Sequence, residues 1–181
     1  MTTAEVLEDA FGRIRGIVHR AVDRITPEQL AFRPDAEANS ISWLLWHLAR
    51  IQDDHVAEVA RTDQVWTAQG WAERFALPFD PGATGYGHGS QDVAAVKATA
   101  DLLAGYYDAV YNVTIEYVRG LTDGDLDRIV DERWDPPVTL GVRLISVISD
   151  GLQHAGQASY VRGIVDSEVS GNGVGASTQT P

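Results

Sequence analysis

Cysteine is absent from this 181-residue sequence. Disulfide bonds and thiolate ligands are therefore excluded, and any bound metal must be held by histidine and carboxylate side chains. Thiol chemistry would likewise need a thiol from outside the chain. No apolar run approaches the roughly 20 residues of a membrane-spanning helix. The first residues also lack the basic and then apolar order of a signal peptide. We therefore expect a cytoplasmic protein that does not enter a membrane.

Basic residues are also scarce. Lysine and arginine together number 14 against 26 acidic residues, which gives a formal net charge of −12. Nucleic-acid binding depends on neutralising phosphates with lysine and arginine, so a chain this acidic would repel DNA or RNA. The charge therefore argues against nucleic acid as a partner.

Hydrophobic residues make up 44% of the chain and charged residues 22%, as in ordinary globular proteins. The length fits one domain with a substantial core. From Ser167 onward the sequence has almost no apolar content. We therefore predict one folded domain over residues 1–166 and a disordered tail over residues 167–181.

Apolar residues recur at helical spacing in four long stretches of the chain. They predict helices over residues 3–25, 41–60, 90–119 and about 140–165, with long connections over 61–89 and 122–137. A connection as long as 61–89 is unusual between helices unless it does something, such as cover a site. No strand pattern is visible. The fold class predicted is all-α, a four-helix bundle, in which metal sites are built from inward-facing side chains.

Asp150 and His154 lie four residues apart in an apolar part of the last predicted helix. Positions i and i+4 are neighbours on one helix face, so both side chains can reach one metal ion. An acid in apolar surroundings needs a partner or a metal. Such a pair is more often a simple helical side-chain pair, however, and two ligands are too few for a stable site. A third ligand must come from elsewhere in the chain.

His47 is the best candidate for that ligand. It lies in the apolar second long helix, and His55 follows it by about 12 Å along the axis at 1.5 Å per residue, too far for both to bind one ion. His55 follows two aspartates and looks closer to water. Asp54 lies two turns after His47 on the same face and could touch a substrate. A lone histidine on a buried helix face is more often a core residue, so both interpretations stay open at this point.

Three stretches resemble the DinB-like superfamily, and within it the branch of mycothiol-dependent maleylpyruvate isomerases and thiol S-transferases. They are residues 40–50, residues 154–163 and the approach to the second long helix at residues 30–34. The resemblance covers roughly residues 5–165. It implies a four-helix bundle with a divalent metal, zinc or nickel as a rule, with iron as a further candidate. It assigns His47 and His154 as ligands. The position of Asp150 is commonly histidine, or glutamate in the isomerase branch, so aspartate is a departure.

The resemblance implies a metal-dependent transferase or isomerase that uses a low-molecular-weight, mycothiol-like thiol as nucleophile toward a small electrophile. His47, Asp150 and His154 are its predicted catalytic residues, acting through the metal. Arg50, Asp54 and Gln157 are the predicted cofactor-binding residues. Related bundles often dimerise, which makes a homodimer an alternative to a monomer.

Two other functions remain open on the sequence. One is a non-catalytic bundle with a structural or absent metal, acting as a stress-related or small-molecule-binding protein. The other is oxygen chemistry, because two histidines and one carboxylate also describe the facial triad of non-heme iron(II) enzymes.

Overall fold

The structure is a computed structural model, and it describes residues 2–172. Helices dominate these residues, which confirms the all-α prediction. The elements in chain order are α1 (Thr3–Val22), α2 (Pro27–Leu30), α3 (Ile41–Ala60), α4 (Val65–Ala68), α5 (Trp71–Phe75), α6 (Ser90–Ala95), α7 (Ala100–Arg119), a 3-10 helix (Asp123–Asp127), β1 (Ile129–Asp131), β2 (Val138–Thr139) and α8 (Leu140–Asn172).

The four long helices α1, α3, α7 and α8 form the bundle. Helix α3 packs against α8 and α7, and α1 packs against the same two helices. Every residue of α3 from Ile41 to Arg50 is buried. A helix that is apolar around most of its surface lies inside the protein, where neighbours cover all of its faces. Helix α3 is therefore the central element, and His47 lies within its most enclosed part.

Capping side chains explain where the helices begin. The Ser40 hydroxyl accepts a hydrogen bond from the Trp43 backbone N–H at 3.1 Å and starts α3. The predicted bounds of that helix, 41–60, are those of the structure. The prediction of one continuous helix over 90–119 is wrong. Thr99 caps a new helix through the Leu102 N–H, and Val96 is extended, so α6 and α7 are separate.

The structure also contains two short strands, for which no pattern was visible in the sequence. Strands β1 and β2 form a two-stranded antiparallel sheet, in which Ile129 pairs with Thr139. Strands of three and two residues are too short to show an alternating pattern, so the sequence carries no signal for them. The hairpin leads directly into α8, in whose first turn the Val142 N–H donates a hydrogen bond to the Thr139 hydroxyl.

Helix α8 continues to Asn172, beyond its predicted end at Val165. The predicted disordered tail over 167–181 therefore begins inside a helix, and residues 173–181 lie outside the described part of the chain. Among the described residues, no helix has both the length and the apolar content needed to cross a membrane.

Candidate metal centre

The three predicted ligands meet between α3 and α8. His47, Asp150 and His154 each offer one ligand atom, and these atoms all lie within 4.8 Å of one another. The Nε2 atom of His154 is 3.4 Å from Oδ1 of Asp150. The side chain of His154 is 19% exposed and that of Asp150 is 30% exposed, whereas His47 is buried. The cluster therefore has a closed side at α3 and an accessible side at α8.

Two contacts hold the His47 ring. Its Nδ1 lies 2.6 Å from the backbone oxygen of Thr84, and a carbonyl can only accept, so Nδ1–H is the donor. The ring of Trp43 stacks on His47 with 4.6 Å between ring centroids and 15° between planes. The proton on Nδ1 leaves Nε2 of the neutral ring as a free ligand atom. A donor bond of this kind is the usual support of a metal-binding histidine.

His154 is supported in the same way. Its Nδ1 lies 3.0 Å from Oε1 of Gln157 one turn later on α8, so Nδ1–H donates and Nε2 is left toward Asp150. The rings of His47 and His154 approach edge to face, with centroids 4.8 Å apart. In both histidines, therefore, Nδ1 is hydrogen-bonded to an oxygen acceptor.

The charge states follow from the surroundings. Burial lowers the pKa of His47, which keeps this ring in the neutral form that binds metals. The hydrogen bond with the Asp150 carboxylate raises the pKa of His154. The second oxygen of Asp150, Oδ2, is buried without a hydrogen-bond partner among the described residues. An unpartnered buried carboxylate oxygen costs free energy, and a cation at this point would remove that cost.

These observations fit a divalent metal ion. Two imidazole nitrogens and one carboxylate are the ligand set of several catalytic zinc sites, in which a fourth position stays open. The fit rests on the buried oxygen of Asp150 and on the two histidines, whose Nδ1 atoms already donate hydrogen bonds. The carboxylate of Asp150 thus reaches the cluster although it is one methylene shorter than glutamate.

His55 is not part of this cluster. Its Nδ1 accepts a hydrogen bond from Nη1 of Arg143 at 2.8 Å, near the other end of the contact between α3 and α8. His88 is close to the cluster but not in it. Its Nδ1 accepts from Nε1 of Trp43 at 3.2 Å, and its ring stacks on Trp46.

The three predicted cofactor-binding residues lie in different places. Gln157 contacts His154 and lines a cleft of about 600 Å³ between α8 and residues 34–39. Asp54 accepts a hydrogen bond from Gln64 at 2.7 Å and lies in the cleft beside His55. Arg50 is fully buried, and its Nε donates to the backbone oxygen of Ala83 at 3.1 Å. Their roles toward a cofactor stay predictions.

Thr84 and Trp43 were not predicted as partners of His47. Thr84 contributes a backbone oxygen, which every residue type carries, so its identity gives no signal. Trp43 precedes His47 by four residues on α3, and this helical spacing could have indicated the stacking. The only sequence signal for the Thr84 contact was the unusual length of the 61–89 connection.

A sequence model of the family described as mycothiol S-transferase matches residues 6–167. The chain belongs to the mycothiol S-transferase family. This confirms the resemblance to the thiol-dependent branch of the DinB-like bundles. A crystal structure described as a conserved protein from Enterococcus faecalis is 30% identical, with a TM-score of 0.86 over 92% of this chain and 99% of that one. No curated protein matches this member of the family.

Proposed function

We propose that this member of the mycothiol S-transferase family is a metal-dependent enzyme that joins a low-molecular-weight thiol to a small electrophile. The observation that carries the proposal is the meeting of His47, Asp150 and His154, with one buried oxygen of Asp150 unpartnered. Zinc suits two imidazoles and a carboxylate best, and nickel and iron are the alternatives. Mycothiol is the thiol that the family description names.

A divalent metal in this site would lower the pKa of a coordinating thiol, so that the thiolate is present at neutral pH. The residues of the chain prepare the site for this chemistry. Thr84 and Gln157 hold the two histidine rings so that each presents Nε2. The bundle excludes water on the α3 side, where His47 is buried. Asp150 and His154 border the accessible side, from which both reactants would enter.

In the transfer, the thiol sulfur forms a bond to an electrophilic carbon of the substrate, and the leaving group departs with the bonding electrons. The thiol proton passes to solvent. If the sulfur adds to a carbon–carbon double bond and later leaves again, the result is isomerisation with the thiol unchanged. We propose transfer as the main activity, since the family description names a transferase.

Gln157 is the proposed contact of the site with the bound thiol, because its side chain bonds to His154 and also lines a cleft. Asp54 and Arg50 lie outside the cluster of His47, Asp150 and His154, and we propose that they influence cofactor binding from there. Low-molecular-weight thiols stay reduced in the cytoplasm, so we expect the enzyme to act there. A homodimer is the assembly we propose to test alongside the monomer.

The test uses full-length protein purified without a metal-affinity tag. Elemental analysis measures bound metal, and loss of mycothiol in the presence of a bimane electrophile measures transfer, with cysteine and glutathione as comparison thiols. We expect stoichiometric metal and a transfer rate that His47→Ala reduces to the uncatalysed rate. His55→Ala is the matched control, because His55 lies on the same helix outside the cluster.

Transfer that survives both chelation and His47→Ala would contradict the proposal. Stoichiometric metal without transfer of any thiol would favour a structural metal in a non-catalytic bundle. Protein without metal, even after incubation with zinc, nickel or iron(II), would favour a small-molecule-binding protein.

A further inference from the structure

Two consecutive backbone oxygens of the 61–89 connection accept hydrogen bonds from α3. Ala83 accepts from Nε of Arg50 at 3.1 Å, and Thr84 accepts from Nδ1 of His47 at 2.6 Å. His47 and Arg50 lie three residues apart, and so on one face of the helix. Arg50 is itself fixed, because Tyr106 accepts a bond from its Nη1 at 3.3 Å. The connection is therefore attached to the same helix face that presents His47.

Gly85 makes a close approach possible at this point. Its φ of +95° lies in the left-handed region, and a Cβ added to it would be 2.7 Å from Nδ1 of His47. The same Cβ would be 3.1 Å from Trp46 and 3.2 Å from Trp43. Real Cβ atoms essentially never lie within 3.0 Å of another atom, so a side chain here would push the His47 ring away from the Thr84 oxygen. Only glycine allows the backbone to lie against this ring.

The other end of the same stretch supports His47 through Trp43. Nδ1 of His88 accepts from Nε1 of Trp43 at 3.2 Å, and the Trp43 ring stacks on His47. The N–H of His88 also bonds to the oxygen of Gly85 at 3.2 Å, which closes a turn between the two contacts. Residues 83–88 thus contact the ring of His47 at its edge and, through Trp43, support its face.

We infer that residues 83–88, the positioning segment, hold His47 with its proton on Nδ1 and its Nε2 free for the metal, and that Gly85 is the residue this arrangement requires. The inference rests on the proposed function for the role of Nε2 toward a metal. The state of the ring itself does not depend on the metal. Gly85 and Thr84 are therefore positioning residues, and they act through His47.

The chain offers a matched pair of variants. Gly85 and Gly87 both have left-handed φ, +95° and +78°, so alanine strains the backbone at either position. An added Cβ on Gly87 meets nothing within 4 Å, whereas the Cβ on Gly85 meets His47. Comparing Gly85→Ala with Gly87→Ala therefore separates the contact with His47 from general strain in the segment.

Two measurements report the arrangement. In metal-free protein, ¹⁵N chemical shifts of the His47 ring distinguish the Nδ1–H form from the Nε2–H form. In the second measurement, competition against a chelator gives the zinc affinity. We expect wild type and Gly87→Ala to show the Nδ1–H form and affinities within about threefold of each other, as for a surface substitution. We expect Gly85→Ala to lose the single Nδ1–H form and to bind zinc about 10- to 100-fold more weakly, as when a supporting group of a metal ligand is removed.

A Gly85→Ala protein with the wild-type tautomer and affinity would overturn the inference, as would equal losses in both variants. Circular dichroism shows whether each variant folds. If Gly85→Ala does not, His88→Phe decides, because it removes the acceptor of Trp43 and keeps an aromatic ring against Trp46. Wild-type tautomer and zinc affinity in that variant would overturn the inference. A wild-type protein that fails to bind zinc would contradict the proposed function, and the ring measurement in metal-free protein would still test the positioning segment.

Discussion

Asp150 is the residue on which the candidate site depends most. One of its oxygens lies 3.4 Å from His154, and the other is buried without a partner among the described residues. Its neighbour His47 is neutral because burial lowers its pKa, so Asp150 supplies the negative charge of the ligand set. A bound divalent cation would satisfy the free oxygen, and the carboxylate of Asp150 would offset part of the two positive charges of that cation.

We predict that Asp150→Asn weakens zinc binding by at least about tenfold, because a ligand contributes no less than the groups that support ligands. Asparagine keeps the shape of the side chain but removes its charge. The metal-free variant is expected to keep its fold, since the substitution removes a poorly solvated charge. Chelator competition and circular dichroism measure the two effects. Asp127→Asn, which changes an exposed carboxylate, is the control. Equal zinc affinity in wild type and Asp150→Asn would exclude Asp150 as a ligand.

At this scale the sequence predicted the residues of the cluster better than the groups that support them. Asp150 and His154 follow from helical spacing, and His47 from its apolar surroundings and the family resemblance. The partner of His47 is a backbone oxygen 37 residues further along the chain. No residue type marks such a contact, and only the folded connection brings it to the ring.

At the scale of secondary-structure elements, the short sheet of β1 and β2 connects the 3-10 helix to α8. Asp131 at the end of β1 accepts bonds from Arg133 and from Nη2 of Arg143 on α8, the latter at 3.0 Å. Arg143 also donates to His55 on α3. The sheet is thereby attached to both helices that carry the candidate metal ligands.

We predict that the Asp131 contacts contribute to stability at neutral pH and are lost in acid. The hydrogen bond with Arg133, with Arg143 nearby, lowers the pKa of Asp131 well below its ordinary value. A carboxyl whose pKa is lower in the folded state stabilises the protein above its unfolded-state pKa of about 3.9. That contribution then falls as the pH drops toward the folded-state pKa.

The measurement is urea unfolding of wild type and Asp131→Asn between neutral and strongly acidic pH. The gap in unfolding free energy should be largest at neutral pH and should close in acid. Glu132→Gln removes an exposed carboxylate from the adjacent position and should show no comparable gap. A gap that stays constant with pH would show that the Asp131 ion pairs do not contribute.

Element boundaries were predictable where a cap and a long apolar pattern agree, as at Ser40 and α3. They were not predictable where two capping residues compete. Gly89 and Thr99 each precede a helix, and the apolar pattern runs through both, so the break between α6 and α7 was missed. The apolar stripe continues across the break because both helices pack on the same core.

At the scale of the whole molecule, the candidate site lies between the two most closely associated long helices. Gly151 of α8, one residue after Asp150, lies against α1, because an added Cβ would be 3.0 Å from Cδ1 of the fully buried Ile14. The acid is thus fixed by packing on α1 while its carboxylate faces α3. The candidate ligands come from two helices that are distant in sequence, so a bound metal would connect α3 to α8.

We therefore predict that zinc stabilises the whole bundle against unfolding. A ligand that binds only the folded state adds about 2.7 kcal/mol at a free concentration 100 times its dissociation constant. In a domain of this size, 1 kcal/mol shifts the thermal midpoint by about 2–4 °C, so the expected rise is roughly 5–10 °C. Calorimetry with and without zinc measures this rise. Free zinc is kept at low micromolar concentration, because the net charge of −12 attracts cations weakly over the whole surface. His154→Ala should abolish the rise by removing one ligand, and His55→Ala should retain it. An equal rise in all three proteins would assign the stabilisation to the acidic surface and not to a site between α3 and α8.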